Sequence, residues 1–140
     1  MKTLFLFSLS LLIIGCSNTK QSSPETKELD YSIVGTHIEW DDIFNQQEVD
    51  YFVYFYSTTC AHCRNIKQDI LTYYLSEKVD LYFICMDKID DRYISQYEII
   101  GVCDSSKLYI FGTPFLIEIK NYRVYKYYAG EKAIKEFISK

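Results

Sequence analysis

The amino-acid sequence predicts an α/β fold in which a central mixed sheet of about four to five strands is flanked by helices. Two near-continuous apolar runs, at 49–57 and 79–87, are typical of buried strands, and a segment of helical periodicity separates them. A crossover of this length implies that the two strands are parallel. Two further apolar runs, between 112 and 130, indicate an antiparallel hairpin that closes the sheet.

Length and composition are those of one globular domain. The chain has 140 residues, of which 49% are hydrophobic and 24% charged, so it can bury a single core. The formal net charge is -4, and the Lys and Arg residues are scattered along the chain rather than gathered in a basic stripe. Because nucleic-acid binding depends on such a stripe, we expect no nucleic-acid partner.

The N-terminus is predicted to be an export signal. Lys2 is followed by the apolar run TLFLFSLSLLIIG, which is shorter than the roughly 20 residues of a membrane-spanning helix but fits the core of a signal peptide. The run ends in LIIGC, residues 12–16, which resembles the bacterial lipobox. The resemblance implies cleavage before Cys16 and lipidation of that cysteine. The alternative is an ordinary exported protein or an uncleaved anchor in which the cysteine is incidental.

Residues 17–30 are predicted to be a flexible tether, because this polar stretch has too little apolar surface to offset the entropy lost on ordering it. The expected organisation is a lipoprotein signal peptide at 1–16, the tether at 17–30 and a folded domain at 31–140. A multiply acylated Cys16 would hold the domain on the outer face of the bacterial cytoplasmic membrane. Disulfides persist in that compartment.

The first elements of the domain follow from local patterns. Thr36 and Glu39 have the spacing of a capping box, which predicts a short helix through about Gln46. Its inward-facing side chains are expected to be Ile38, Trp40, Ile43 and Phe44. After the first strand, helical spacing starts at a cysteine pair and continues to about Ser76. The apolar face of this helix consists of Ile66, Ile70, Leu71 and Tyr74.

The remaining elements follow the second strand. A weaker helix is predicted from Arg92 to Ile100, and the hairpin is expected to turn at Asn121 and Tyr122. Asn-Tyr suits a tight turn less well than Asn-Gly does. A final amphipathic helix is predicted after Gly130. Its apolar stripe consists of Ala133, Ile134, Phe137 and Ile138.

The cysteine pair, Cys60 and Cys63, encloses Ala61 and His62 at the predicted start of a helix. The thiolate is the nucleophile of thiol–disulfide exchange, and a free cysteine with a pKa near 8.5 is only about 3% ionised at pH 7. Unpaired backbone N–H groups and the helix dipole favour the Cys60 anion, and His62 is expected to add a donor or a positive charge. Cys60 is therefore predicted to attack, and the less accessible Cys63 to resolve the mixed disulfide.

This order of elements resembles the thioredoxin superfamily across about residues 31–140. The resemblance rests on the buried strand leading into Cys60-Ala61-His62-Cys63, then a strand, a helix, the sequence Gly112-Thr113-Pro114, a hairpin and a terminal helix. It implies a thioredoxin-like fold with a cis proline at Pro114, beside the active-site disulfide. It also implies that Thr113 and Pro114 shape the peptide-binding edge.

The residues around the pair refine the resemblance. A His directly before the second cysteine, here His62, is similar to the disulfide oxidases and isomerases of oxidising compartments. Many members have a buried acid six positions before the first cysteine, where this chain has Tyr54, and an aromatic residue directly before that cysteine, where it has Thr59. Asp50 is one distant substitute for the acid. Glu118 is another, although it is more typical of a solvent-facing strand residue.

Two other roles for the cysteine pair are disfavoured. A structural zinc site needs four ligands, and His62, Cys85 and Cys103 alone are available to supplement the pair, so we expect no metal. Cys85 lies inside an apolar strand, and no second close cysteine pair exists. A purely structural staple between Cys60 and Cys63 closes too small a loop to restrict the unfolded chain much.

A second disulfide is also predicted. The chain has five cysteines, and lipidation of Cys16 would leave four. Cys85 is near the end of the second strand and Cys103 precedes the proline loop, so both could approach one edge of the sheet, and a Cys85–Cys103 bond is the candidate second disulfide. In the alternative, Cys85 is a small buried apolar residue and Cys103 an unpaired loop thiol.

The sequence thus predicts a membrane-anchored extracytoplasmic thiol–disulfide oxidoreductase that oxidises or isomerises disulfides of exported proteins. It needs no cofactor beyond its own redox-active disulfide. Its expected partners are exported protein thiols or disulfides, the membrane through the lipid anchor, and a redox partner that recycles the pair. Two alternatives are an anchored thiol reductant, for example in cytochrome maturation, and a non-catalytic lipoprotein or secretion accessory that uses the fold for binding.

Overall fold

The computed structural model describes residues 28–76, 78–94 and 98–140. Within these ranges, four strands form one mixed sheet in the order β2-β1-β3-β4. The strands are β1 (Asp50–Tyr56), β2 (Leu81–Cys85), β3 (Phe115–Lys120) and β4 (Arg123–Ala129). β1 pairs in parallel with β2 and antiparallel with β3, and β3 pairs antiparallel with β4. The predicted α/β class, the parallel strand pair and the closing hairpin are confirmed.

In the described part of the chain, two α-helices accompany the sheet, α1 (Ala61–Leu75) and α2 (Gly130–Ile138). The same residues include three short 3-10 helices, at Tyr31–Ile33, Trp40–Asp42 and Ser105–Lys107. Neither α-helix in the described ranges has the length and hydrophobicity that crossing a bilayer requires. The export signal, Cys16 and most of the predicted tether lie outside the described residues.

The side chains of β1 alternate between two buried clusters, one on each face of the sheet. Tyr51, Val53 and Phe55 pack among irregular segments of the chain. Tyr54 and Tyr56 point to the opposite face. That face is covered by both helices, which contribute Ile66, Ile70, Leu71 and Ile134. Because β1 is buried on both sides, it holds the loop at its carboxyl end on a rigid base.

The capping box predicted at Thr36 and Glu39 is wrong. The Thr36 hydroxyl donates to the carbonyl of Leu81 (2.7 Å), and His37 forms a parallel bridge with Phe83. The segment therefore pairs with the open edge of β2, because the backbone N–H and C=O groups of an edge strand are free to form hydrogen bonds with it. The helix is only the 3-10 turn Trp40–Asp42, although the Trp40 side chain is buried as predicted.

The helix predicted from Arg92 to Ile100 is not found in the described part of that segment, which lacks residues 95–97. Ile94 donates its N–H to the carbonyl of Ile110 (3.0 Å), and Ile110 donates to the carbonyl of Arg92 (2.9 Å). The buried Ile99 lies five positions after Ile94, which is not the spacing of one helix face. Extended pairing satisfies these backbone groups instead.

The hairpin turns at Asn121 and Tyr122, as predicted. Both residues have positive φ, 49° and 57°. Two successive positive φ values are what a tight two-residue hairpin turn requires, which explains why the turn forms without a glycine. The Asn121 N–H also donates to the Asp50 carboxylate (3.1 Å), which ties the turn to the start of β1.

Candidate active site

Cys60 and Cys63 lie where β1 ends and α1 begins. Three residues, 57–59, connect the strand to the first cysteine. Asp87, just after the neighbouring strand β2, accepts hydrogen bonds from the Thr58 backbone N–H (2.9 Å) and from the Thr58 hydroxyl. The cysteine loop is therefore fixed between the carboxyl ends of two parallel strands.

Cys60 is the N-cap residue of α1. Its backbone is extended (φ -76°, ψ 121°), and its sulfur accepts a hydrogen bond from the Cys63 N–H (3.2 Å). A serine or aspartate oxygen usually makes this contact at a helix start. The sulfur thus faces the unpaired N–H groups and the positive end of the helix dipole, both of which stabilise a thiolate.

The pKa of Cys60 is lowered in this position. Partial burial acts to raise it, but hydrogen bonding with the Cys63 and Thr113 side chains and with the backbone amides of Cys63 and His62 outweighs burial. A lowered pKa increases the fraction of thiolate near neutral pH. Cys60 therefore has the chemistry of an attacking nucleophile.

Cys63 has the opposite character, with only 1% of its surface exposed. Burial raises the pKa of its thiol, and the hydrogen bond with Cys60 raises it further. It therefore remains protonated while Cys60 ionises. One accessible thiolate beside one buried thiol is the arrangement in which an external disulfide meets Cys60 first.

Thr113 and Pro114 lie directly beside Cys60. The Cys60 thiol donates to the Thr113 carbonyl (3.2 Å), and the Thr113–Pro114 peptide bond is cis, as the resemblance predicted. The Pro114 carbonyl in turn accepts the Gly130 N–H (3.0 Å). Gly130 has a φ of 82°, a left-handed conformation that favours glycine, where β4 passes into α2.

The polar contact of the His62 side chain is with Glu131 and not with the cysteines. The His62 Nδ1 lies 3.1 Å from a carboxylate oxygen of Glu131, and 71% of the side chain is exposed. Glu131 also accepts hydrogen bonds from Asn65 (3.1 Å) and Lys135 (3.0 Å). These three partners, His62 first, lower the pKa of Glu131 to about 2, so the carboxylate is ionised at any ordinary pH.

The ion pair changes the role expected for His62. The ring nitrogen Nδ1 faces the Glu131 carboxylate, while the backbone N–H of His62 contributes to the lowered pKa of Cys60. Glu131 could not be singled out from the sequence, because two of its partners, His62 and Asn65, lie 69 and 66 positions away along the chain. Its position in the first turn of the last helix and its i,i+4 partner Lys135 are local signals, but they point to the site only once α1 and α2 are known to pack together.

A groove of about 600 Å³ runs beside the cysteine pair. Its walls include His62, Thr113, Pro114, Gly130 and Glu131. The structure therefore brings three of the residues predicted to contact or tune the site, His62, Thr113 and Pro114, to one open surface.

The position of the missing buried acid is occupied by a fully buried tyrosine, Tyr54. Neither distant substitute reaches it. Asp50 is exposed at the opposite end of β1, and Glu118 pairs with Lys120 (2.9 Å). Thr59, where an aromatic residue is common, is exposed and leaves the cysteine loop open to solvent.

The predicted Cys85–Cys103 disulfide is wrong. Both thiols are free. Cys85 pairs with Tyr56 at the carboxyl end of β1, on the β2 edge of the sheet. Cys103 accepts a hydrogen bond from Arg123 (3.4 Å) at the start of β4, the opposite edge. In the sequence, both cysteines lie near the ends of strands. Only the strand order shows that these ends lie at opposite corners of the sheet.

Comparison with known proteins identifies the architecture. No protein-family model matches the chain. The structure of thioredoxin f2 from Chlamydomonas reinhardtii superposes with a TM-score of 0.54 at 17% identity, covering 74% of this chain and 89% of that one. The oxidised form of mitochondrial thioredoxin 3 from Saccharomyces cerevisiae gives 0.51 at 16% identity, covering 78% and 96%.

The chain has a thioredoxin-like fold. At these identities the likeness shows the fold alone, so the chemistry rests on the geometry of Cys60 and Cys63. That geometry, an accessible low-pKa thiol capping a helix above a buried one, supports thiol–disulfide redox chemistry within the thioredoxin-like fold.

The Glu131→Gln variant is expected to make the cysteine pair more oxidising. Removing the carboxylate leaves any positive charge on His62 unbalanced and removes a negative charge near the Cys60 thiolate, so the reduced state gains stability. We expect a positive shift of the redox potential on the order of 10 mV, because exposed ion pairs are weak. Equilibration of the pair with glutathione buffers measures it.

The matched control is Glu136→Gln. Glu136 lies on the same helix and lines the same groove but faces Lys132 (4.0 Å). This variant should keep the wild-type potential. A Glu131→Gln potential that stays the same or becomes more negative would show that the His62–Glu131 pair does not influence Cys60.

Proposed function

We propose that this protein is a membrane-anchored extracytoplasmic thiol–disulfide oxidoreductase that oxidises or isomerises disulfides of exported proteins. The observation that carries the proposal is the placement of the Cys60 sulfur at the start of α1, where the Cys63 N–H donates to it (3.2 Å). This contact gives one of two adjacent thiols a stabilised anion and an open approach. A purely structural cysteine pair needs neither.

The oxidising reaction proceeds in two exchanges. A client thiolate attacks Cys60 of the Cys60–Cys63 disulfide, forming a client–Cys60 disulfide and releasing Cys63 as a thiolate, which takes up a proton. A second client thiolate then attacks the client sulfur of that mixed disulfide, and Cys60 leaves as the stabilised thiolate. The client gains a disulfide, and both cysteines of the protein end reduced. A separate redox partner reoxidises them.

Residues beside Cys60 have distinct parts in this proposal. The groove edge formed by Thr113 and Pro114 holds the client chain, and the Thr113 carbonyl lies 3.2 Å from the Cys60 sulfur. His62 tunes Cys60 through its backbone N–H and through the charge balance that Glu131 sets. No metal or organic cofactor takes part in either exchange.

The anchored, extracytoplasmic setting is the part of the proposal that rests on the sequence. The apolar run, the LIIGC sequence at residues 12–16 and the polar stretch after it support a lipid anchor at Cys16. Exported proteins are the thiol-bearing clients available on that side of a bacterial membrane, and disulfides persist there.

A second candidate is an anchored thiol reductant. The observation that favours it is the ionised Glu131 carboxylate beside His62, because a negative charge on this side of the cysteine pair disfavours the Cys60 thiolate and so weakens its oxidising character. The two candidates use the same thiols and the same exchange steps. They differ only in the potential of the pair.

Equilibration of the wild-type cysteine pair with glutathione buffers tests the direction. Because the lowered pKa of Cys60 stabilises the reduced state, we expect a potential well above the thioredoxin value of about -270 mV, towards the periplasmic oxidase value of about -120 mV. A potential at or below about -270 mV would replace the oxidant with the reductant. Cys103→Ser serves as the control, since an exposed thiol at the far corner should not affect the value.

A further inference from the structure

Two tyrosine hydroxyls are buried next to the cysteine pair without a hydrogen-bond partner in the described part of the chain. They belong to Tyr54 on β1 and Tyr31 in the first 3-10 helix. The hydroxyls of Tyr51 and Tyr56, which are also buried, do have hydrogen-bond partners. The Tyr51 hydroxyl donates to the Ile43 carbonyl (2.7 Å), and the Tyr56 hydroxyl lies 3.0 Å from the His37 ring. A buried hydroxyl without a partner is costly, and phenylalanine would fill the same space without that cost.

Both tyrosines pack in the same cluster as Cys63, and Tyr31 and Cys63 line the same small cavity. Each tyrosine influences the pKa of the other. Burial raises the pKa of both tyrosines, and the charges of Cys60 and Cys63 add to that effect. The hydroxyls therefore stay protonated at working pH and are available as hydrogen-bond donors.

A small cavity connects this region to solvent. It has a volume of about 160 Å³ and is lined by Tyr31 and Cys63 together with Asp30, Ser57, Thr58, Arg64 and Lys67. That volume is enough for several water molecules, each of which needs about 30 Å³. Cys63 therefore has a polar route to solvent, and none of the residues lining that route lines the groove beside Thr113 and Pro114.

The chemistry of resolution requires such a route. To release a mixed disulfide, the buried Cys63 thiol must lose its proton before its sulfur can attack Cys60. Its raised pKa makes that loss unfavourable. Asp30, Arg64 and Lys67 face the cavity, but the position where a buried carboxylate would serve holds Tyr54.

We propose that the hydroxyls of Tyr54 and Tyr31 form a positioning pair that stabilises the Cys63 thiolate and passes its proton to water in the cavity. This inference rests on the proposed function and concerns its isomerising reaction, in which Cys63 releases a client that Cys60 holds as a mixed disulfide. There the Cys63–Cys60 bond forms and the Cys60–client bond breaks. The client leaves as a thiolate, and the proton of Cys63 goes through the hydroxyls to water.

Tyr54→Phe and Tyr31→Phe test the pair in a single-turnover reaction of the reduced protein with oxidised glutathione. Formation of the mixed disulfide depends on Cys60 and should keep its rate. Its decay, which depends on the Cys63 thiolate, should slow about tenfold, because hydrogen bonds to charged groups are the strong ones. The pH profile of the decay should move to higher pH. Acid-quenched mass spectra follow both steps.

Thermal unfolding separates this role from a structural one. Removing a hydroxyl that has no partner should leave the stability of Tyr54→Phe unchanged or increased. The matched control is Tyr51→Phe, on the same strand, which removes the bond to the Ile43 carbonyl. It should lower stability and leave the decay of the mixed disulfide at the wild-type rate.

The outcomes distinguish the two proposals. If wild-type protein forms and resolves the mixed disulfide but both phenylalanine variants resolve it at the same rate and with the same pH profile, the tyrosine pair has no part in the reaction and the proposed function stands. If wild-type protein forms no mixed disulfide at all, the proposed function fails and the tyrosine inference fails with it.

Discussion

Cys60→Ser is expected to reduce the rate of thiol–disulfide exchange to that of the uncatalysed reaction, a loss of at least about a thousandfold. A serine oxygen cannot form a disulfide, and Cys63 is too buried and too strongly protonated to replace it. The fold should remain, because serine is itself a favoured N-cap residue and can accept the Cys63 N–H in place of sulfur. The formation rate of the mixed disulfide with oxidised glutathione measures the loss.

Cys103→Ser is the control for this variant. Cys103 is an exposed thiol at the opposite corner of the sheet, so its removal should leave the exchange rate unchanged. Exchange that survives in Cys60→Ser would place the chemistry on another thiol. If Cys60→Ser lost exchange in solution but cells carrying it showed no phenotype, the protein would be a non-catalytic binding module instead.

Cys63→Ala is expected to trap nearly all of the protein as a mixed disulfide. Cys60 keeps its place at the helix start and still attacks, but no neighbouring thiol remains to displace the client sulfur. The intramolecular attack, whose advantage is the high effective concentration of Cys63, is replaced by slow attack from solution thiols. The fraction of protein that carries a glutathione adduct after acid quenching measures the effect.

A substitution of Cys85 provides the control for the trapping experiment. Cys85 lies at the same end of the sheet as the pair and is partly buried beside Tyr56. Cys63→Ala combined with Cys85→Ser should trap to the same extent as Cys63→Ala alone. If Cys63→Ala released the adduct as fast as wild-type protein, Cys63 would not be the resolving thiol, whatever the role of Cys60.

The order of the four strands and of α1 and α2 was predictable because each of these elements has a strong local pattern. The residues of β1 are apolar on both faces, which is typical of a central strand. After the cysteines, Ile66, Ile70 and Leu71 repeat at helical spacing. The same pattern located the start of α1 at the cysteine pair. The position of Cys60 at a helix N-terminus could therefore be predicted from the sequence alone.

Features that depend on distant contacts were not predictable. The His62–Glu131 contact requires α1 and α2 to pack side by side, and neither residue signals the other locally. Thr36 has the spacing of a capping box, but the exposed edge of β2 provides a better partner for it. Cys85 and Cys103 both appeared near one edge until the strand order separated them.

Peptide-mapped mass analysis of wild-type protein after brief exposure to oxidised glutathione tests most directly whether Cys60 and Cys63 exchange as a pair. We expect an internal Cys60–Cys63 disulfide with little remaining glutathione adduct, and its complete reversal by dithiothreitol. Two thiols that stay reduced, or an adduct that persists on Cys60 although Cys63 is present, would contradict it.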